Sequence, residues 1–314
     1  MSSKIQSVNL DANESMFFER ELESIKSRSY DVKYPELKAV RLIPVSNEAG
    51  AGAESITYEQ YDSTGMMKII ADYADDLPRS DVKGEEYTTQ IRSLGGSYGY
   101  SIQEIRAAAK AGKPLQQRKA NAARKSNDQK VNKIAFFADG SKQYGGLYGL
   151  FYNPNVTKSE ATTGNWIGGS ATATEIITDV NECINSVISL TNGVEIPNTL
   201  LLPQEEYSHI ATKPRSDYSD TTILEFLQRV NPGVTFEALN ECEDVSPNPR
   251  TGTGSANIMI AYNRNPDNLT LEIPQPYEQM SPQERNLEQV VPTHSRIGGV
   301  IIYYPLSVHI VDGI

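Results

Sequence analysis

The side chains with which this chain could do chemistry are few and scattered. Its three histidines, His209, His294 and His309, form no HxxxH or other ligand pair on one element, so no metal site is spelled out. His294 follows Pro292 and Thr293 near a carboxylate-rich stretch and reads as a turn or strand histidine. Cys183 and Cys242 are the only cysteines, and neither has a CxxC or metal-ligand spacing; they read as two reduced thiols of a cytosolic product. The acids of ADYADD (71–76) lack the rhythm of a calcium loop and read as a solvated edge. TGTGS (251–255) and YGGLYG (144–149) are glycine-rich, yet neither joins a strand to a helix in a dinucleotide or P-loop frame. No carboxylate pair at a recognisable catalytic spacing is present. The expectation is a protein with no catalytic residue, cofactor site or metal site, and not an enzyme.

Charge, by contrast, is concentrated. The chain is acidic, with a formal net charge of -11. Within 116–133, however, Arg118, Lys119, Arg124, Lys125, Lys130 and Lys133 stand against Asp128 alone.

The elements that must position these residues are legible from periodicity and punctuation. Residues 13–28 read as an amphipathic helix with Phe18, Leu22 and Ile25 on one face. Residues 29–53 carry no period and read as an extended arm. Two strands then surround DSTG. Ile56, Tyr58 and Gln60 alternate with Thr57, Glu59 and Tyr61; after the turn, Met67, Ile69, Ala71 and Tyr73 alternate with Lys68, Ile70 and Asp72. A lone hairpin is marginal in water, so either a domain core or another subunit must cover it.

Ser101 and Glu104 form a capping box that opens a helix ending at Gly112. Pro114 suits a first helical turn, and nothing breaks the helix from there to Phe137. At 1.5 Å per residue it would be about 35 Å long, with an apolar stripe (Val131, Ile134, Ala135, Ala138) at its C-terminal end only. Thr172 and Glu175 cap a second strong helix carrying Ile176, Val180, Ile184, Val187 and Ile188. NTLLLP (198–203), VTFEAL (234–239), ANIMIAY (256–262) and LTLEI (269–273) read as strands, and SDTTILEFLQRVNPG (219–233) as a short helix. GGVIIYYPLSVHIV (298–311) is almost continuously apolar and reads as one central strand. Glycine, proline and His309 interrupt this region, which falls short of the roughly 20 apolar residues of a membrane span. The N-terminus has no signal-peptide pattern. The fold class is α+β.

At 314 residues the chain is long enough for about two domains, or one body with appendages. Hydrophobic content is 38% and mean hydropathy -0.46, lean for one globule, while tyrosine is used 17 times. Tyrosine suits half-buried surfaces because its ring is apolar and its hydroxyl stays wet. The composition fits a protein with much of its area in protein–protein contact.

The layout of arm, hairpin, long polar helix, glycine loop and α/β region resembles the major capsid proteins of tailed bacteriophages, with the HK-ninety-seven-type shell fold. So do three long stretches, YDVKYPELKAVRLIPVS (30–46), YSIQEIRAAAKAGKPLQQRKANAAR (100–124) and the final TLEIPQPYEQMSPQERNLEQVVPTHSRIGGVIIYYPLSVHIVDGI (270–314). The resemblance implies an N-terminal arm over 1–53, an extended loop over 54–93, a peripheral domain from 94–170 with 285–314, and an axial domain over 171–284. It implies self-assembly into pentamers and hexamers of an icosahedral shell around a phage genome, through contacts between unlike surfaces. The alternative on the same fold is an encapsulin-type bacterial nanocompartment. The assembly residues it implies are Tyr58, Tyr61, Met66, Met67 and Lys68 of the extended loop. Only some fifty residues precede that loop, so the resemblance implies a separate scaffolding protein, or none, rather than a cleaved internal one, together with a portal. The N-terminus is expected to stay unprocessed. Some relatives join subunits through a lysine; Lys68 lies just past the expected hairpin tip, but no partner residue can be matched to it. The basic face of Arg118, Lys119, Arg124, Lys125 and Lys130 has two readings. It pairs with acids of the same or neighbouring subunits, such as those of 14–23, or it faces packaged double-stranded DNA, touching phosphates weakly and without sequence preference. With no aromatic residue between positions 116 and 133, base stacking is not expected. The resemblance places the protein in the virion, assembled in the bacterial cytoplasm, with no membrane contact.

Overall fold

Ser101 starts its helix as the capping box requires. Its hydroxyl accepts from the Glu104 amide at 3.1 Å and its own amide donates to the Glu104 carboxylate at 3.1 Å, which satisfies two of the donors a helix start leaves open. The computed structural model describes residues 35–69, 79–112, 115–169, 171–216, 218 and 220–314, and the account below concerns the compact unit Leu37–Ile314.

Along the chain, a single helical turn α1 (Ala39–Leu42) and a short strand β1 (Val45–Ser46) precede the paired strands β2 (Ser55–Thr64) and β3 (Asp81–Gln90). Strand β4 (Arg92–Ser101) runs into α2 (Ile102–Ala111), which ends at Gly112 in the left-handed conformation at φ 64°. The long helix α3 (Leu115–Phe137) follows, then β5 (Thr157–Glu160), α4 (Ala173–Leu190), β6 (Thr199–Leu202), α5 (Gln204–Thr212), α6 (Ile223–Val230) and β7 (Thr235–Ala238). The chain finishes in β8 (Ile258–Tyr262), β9 (Leu269–Glu272), β10 (Gln275–Gln279), β11 (Gln283–Arg285), β12 (Glu288–Ile297), β13 (Gly299–Ile302) and β14 (Val308–Asp312). Helices α4 and α6 each open with a capping box, Thr172 with Glu175 and Thr222 with Glu225.

The largest sheet has the order β5-β14-β8-β6-β7. Its inner strands are apolar on both sides because both sides are covered. Ile258, Ile260 and Tyr262 of β8, Val308 and Ile310 of β14 and Leu201 of β6 join one cluster with Ile134, Phe136, Leu147 and Phe151. The intervening residues Met259, Ala261, Val311, Leu200 and Leu202 join the other, with Ile176, Val180, Ile184 and Val187 of α4 and Leu227 of α6. This two-sided burial is why these strands read as continuous apolar runs and not as alternations. A second sheet pairs β4 with β12 antiparallel over ten residues, from Arg92 opposite Ile297 to Ser101 opposite Glu288, and β12 also pairs with β10 and β11. A third has the order β1-β9-β13.

Three expectations are corrected. The hairpin's return strand is not 67–73 but Asp81–Gln90; Met67 and Ile69 are exposed and outside any strand, while Ala71 and Tyr73 lie outside the described residues. Alternation marks a strand only when one face is buried, and this ribbon has no such face. The stretch 298–311 is not one strand. A 3-10 turn over Pro305–Ser307 separates β13 from β14, and the two join different sheets; proline has no N–H to give a ladder. The expected arm is not structureless from 37 to 46: Ala39, Leu42 and Ile43 are buried, Tyr262 donates its hydroxyl to the Leu42 carbonyl at 2.8 Å, and β1 lies parallel to β9. The helix expected over 13–28 lies outside the described residues.

Candidate assembly surface

Strands β2 and β3 form an unbroken antiparallel ladder from Ser55 opposite Gln90 to Thr64 opposite Asp81. Ten residues at about 3.4 Å each make a ribbon about 34 Å long. Almost every side chain on it is exposed. Past the end of β2, Met66 is 85% and Met67 94% exposed, with Lys68 exposed beside them; Tyr61, nearer the root, is 66% exposed. The ribbon thus satisfies its inner hydrogen bonds while burying little apolar area, a combination marginal by itself.

Tyr58 differs from the other expected loop residues. Its ring stacks on Tyr87 at 5.3 Å and meets Tyr303 edge-on at 4.9 Å. Burial, with the neighbouring Tyr87 and Tyr303 phenols, pushes its own phenol above the ordinary tyrosine value. It anchors the root of the ribbon to its own chain.

Helix α3 shows the same division. Its last turns bury Val131, Asn132, Ile134, Ala135 and Phe136, and Asn132 accepts from the Ala39 amide at 3.0 Å. Its middle is tied to β12 by Ser295, which donates to Asn127 at 2.6 Å. The basic residues do not form one face. Lys119 turns toward its own chain, donating to the Gly99 carbonyl at 2.7 Å and the Glu104 carboxylate at 2.9 Å and lying 5.6 Å from the Tyr100 ring. Lys119 and the Ser101 amide hold the Glu104 carboxyl below its usual range. The Lys130 ammonium lies 5.3 Å from the Tyr144 ring. Arg118, Arg124, Lys125 and Lys133 are exposed. At 100° per residue, Arg118, Lys125 and Lys133 fall along one outward stripe. Arg124 lies on the flank, in a groove of about 430 Å³ that it shares with Asp128, Val131 and Tyr277.

The histidines stay apart: His209 on α5, His294 on β12, and His309 buried on β14 with Nε2 2.9 Å from the Ser159 hydroxyl. Both cysteines are buried and unbridged, and burial pushes the Cys183 thiol up to about 12. Among the described residues no three His, Cys, Asp or Glu side chains come together as a metal-ligand set, and no helix is long and apolar enough to cross a membrane. One polar tie, centred on the buried Asp312, had no local signal in the sequence. Arg250 donates to Asp312 at 2.6 Å and pairs with Glu160 at 2.8 Å, and Asn248 donates to the second Asp312 oxygen. Together they fasten the loop before β8 to the end of β14.

Comparison with known proteins adds the family. The family model described as major capsid protein matches residues 65–314. The capsid structure of Myoviridae phage XM1 superposes with a TM-score of 0.83 at 18% identity, covering 96% of this chain and 99% of that one. The structure from Mycobacterium phage Bobi gives 0.65 at 11% identity over 92% and 94% of the two chains, and the capsid of an empty GTA particle 0.63 at 10% over 93% and 95%. At these identities what is shared is the fold. No curated protein matches the sequence. Of the two shell readings that the sequence left open, the family match selects the phage capsid. The α+β body with its projecting ribbon has the HK-ninety-seven-type architecture of these shells, and the chain belongs to the major capsid protein family, the structural subunits of bacteriophage capsids.

Proposed function

We propose that copies of this chain are joined by the β2–β3 ribbon, each laid over a neighbouring copy, with Tyr61, Met66, Met67 and Lys68 meeting the neighbour and Tyr58 holding the root. The observation that carries this is a ribbon about 34 Å long whose strands are fully paired but uncovered, ending beside two exposed methionines. Methionine is flexible and polarisable, suited to a surface that must fit more than one quasi-equivalent neighbour. Residues 94–170 with 285–314 then form the peripheral part, and residues 171–284 the axial part. The enclosed genome is double-stranded DNA. A subunit of net charge -11 repels it overall, which keeps contacts weak and lets it be packed and released. A separate scaffolding protein and a portal complete the assembly, in the host cytoplasm.

The test is to replace residues 60–85 by a short Gly-Ser turn that joins Glu59 to Glu86 and keeps the root. The variant is expected to fold with near-native thermal stability and to form no closed particles by electron microscopy. Normal particles would remove the ribbon from assembly; a variant that does not fold would assign it to the core.

A further inference from the structure

The sulfur atoms of the chain divide sharply by exposure. Cys183 and Cys242 are buried and unbridged. Burial pushes the Cys183 thiol up to about 12 and raises the Cys242 thiol well above its ordinary value. The thiolate is the form an oxidant attacks, so both cysteines are inert in the folded chain. Met259 of β8 is fully buried, and Met280, just after β10, is 42% exposed. Met66 and Met67 are 85% and 94% exposed. Among the described residues, the sulfur most open to solvent is thus gathered at one place, just past the end of β2. A thioether has no proton to lose, so its access to solvent governs its reactivity.

The same place is apolar. Ile69 is fully exposed two residues on, and Val82 of β3, near this end of the ladder, is largely exposed. Oxidation there changes the chemistry of the surface. A flexible, apolar side chain becomes a polar, chiral one. Water solvates the sulfoxide of a free subunit, so folding is unaffected. Beneath a neighbouring copy the S=O dipole would be removed from water without a partner, which is costly. Leucine would give similar bulk and apolar area without this sensitivity.

We propose that Met66 and Met67 form a redox gate on assembly: peroxide converts their thioethers to sulfoxides in the unassembled subunit, the oxidised ribbon no longer joins a neighbour, and assembly shields the same sulfurs once it has occurred. The proposal rests on the ribbon reading above and adds its regulation. In the step, a sulfur lone pair attacks one peroxide oxygen, the O–O bond breaks and an S–O bond forms. The sulfur is oxidised by two electrons, and the second oxygen leaves with both protons as water. The change is reversible, since sulfoxide reductases return the thioether. A closed shell uses the ribbon of every copy, so one oxidised ribbon leaves a contact that intact copies do not replace.

Peroxide treatment tests it. The unassembled full-length chain is exposed to dilute hydrogen peroxide, the excess is removed with catalase, and peptide mass mapping shows where oxygen has been added. Oxidation is expected at Met66 and Met67 before Met280 and well before Met259, with the thermal melt unchanged. Light scattering and electron microscopy then read assembly. The oxidised chain is expected to lose particle formation and to recover it after treatment with methionine sulfoxide reductases. The chain carrying Met66→Leu with Met67→Leu is expected to assemble with or without peroxide, and particles formed before treatment are expected to keep both methionines unoxidised. Normal assembly of a chain oxidised at both positions overturns the proposal. So does loss of assembly by the peroxide-treated leucine chain, which would place the damage elsewhere, and so does equal oxidation of Met66 and Met67 in particles and free subunits. If the untreated leucine chain does not assemble, the reductase step decides, and failure to recover overturns the proposal. The chain shortened between Glu59 and Glu86 separates the two readings. If it forms no particles while the oxidised wild-type chain does, the ribbon reading stands and the redox gate falls; if it forms normal particles, both fall.

Discussion

The β2–β3 ribbon and the central strands β6, β8 and β14 have equally complete hydrogen-bonded ladders and opposite surroundings. In β8 and β14 every residue is buried; in the ribbon nearly every residue is exposed. A ladder hydrogen bond exchanges one with water for one within the chain and contributes only about 0.5–1.5 kcal/mol net, so pairing alone does not decide stability. Apolar burial does, at roughly 25 cal/mol per Å². The sheet is therefore stabilised within one chain, while the ribbon lacks the apolar area to hold its form firmly until something covers it. On the proposed reading, one polypeptide holds a part that folds alone and a part that assembly completes.

The sharpest way to break this comparison is to make the same kind of truncation in both parts. Leu201 of β6 is fully buried, in the cluster that also holds Ile134, Phe136 and side chains of β8 and β14. Leu201→Ala is expected to cost about 2–5 kcal/mol, the transfer term plus the cavity left behind. Val82→Ala on the ribbon is expected to change subunit stability by less than about 0.5 kcal/mol while still lowering the yield of particles. Urea denaturation of the unassembled subunit reads the first quantity and particle counts the second. Equal stability losses at the two sites would end the distinction.

The two parts also differ in how they answer to pH. The acids and bases of the ribbon are exposed, but His309 is buried in β14 with no partner for Nδ1. Burial lowers its pKa below the ordinary 6.5. The unfolded chain therefore binds a proton more readily than the folded one, so this group leaves stability undiminished above about pH 6.5 and subtracts from it as pH falls below that value, until the folded form also protonates. The slope can reach at most about 1.4 kcal/mol per pH unit. Glu206 acts in the opposite sense: burial raises its pKa, so its contribution is present below the ordinary carboxylate range and is lost as pH rises through the folded value. Between pH 7 and 5.5 the histidine is expected to dominate, and His309→Gln to flatten the fall measured by denaturant titration at several pH values. An unchanged slope in the variant would show that His309 is not the group.

How much of this could be read from the chain follows the same division. Helix starts were legible because a capping box is a local device: Ser101 with Glu104 and Thr172 with Glu175 stand three residues apart and form as their spacing requires. The strands of the two-sided sheet were legible because burial on both faces demands apolar runs such as Leu200, Leu201 and Leu202. Strand β3, Asp81–Gln90, left no signal, since a strand with two exposed faces is under no pressure to alternate. The apolar run 298–311 hid a break because hydrophobicity reports burial and not which sheet does the burying; Pro305 was the sign of the break. Of the basic residues, the sequence showed their number but not their direction. Lys119 turns to Glu104 because α2 and α3 bring residues fifteen positions apart together, which no helical period could reveal. The tie between Arg250 and Asp312 was hidden for the same reason.

The smallest expected effect lies where the two parts join. Tyr58 is on the ribbon, yet it is packed by its own chain, edge-on to Tyr303 at 4.9 Å and stacked on Tyr87 at 5.3 Å. Aromatic pairs of this geometry are worth about 0.5–1.5 kcal/mol beyond their buried area. Tyr58→Leu keeps much of the apolar area and removes the ring contacts, so the subunit is expected to lose about 1 kcal/mol at most, with its core strands unaffected. The loss should fall on the ribbon's direction. Amide exchange of β2 and β3 is expected to quicken in the unassembled subunit while β8 and β14 stay protected, and assembly is expected to slow without stopping, because a neighbour can still capture the ribbon once it arrives. Tyr303→Leu removes the other half of the edge-on pair from the body side and should reproduce the result. If either variant abolished assembly outright, the ribbon would need a fixed direction before it meets its neighbour, and the division between a self-stabilised body and an assembly-completed ribbon would have to be drawn further out, beyond Tyr58.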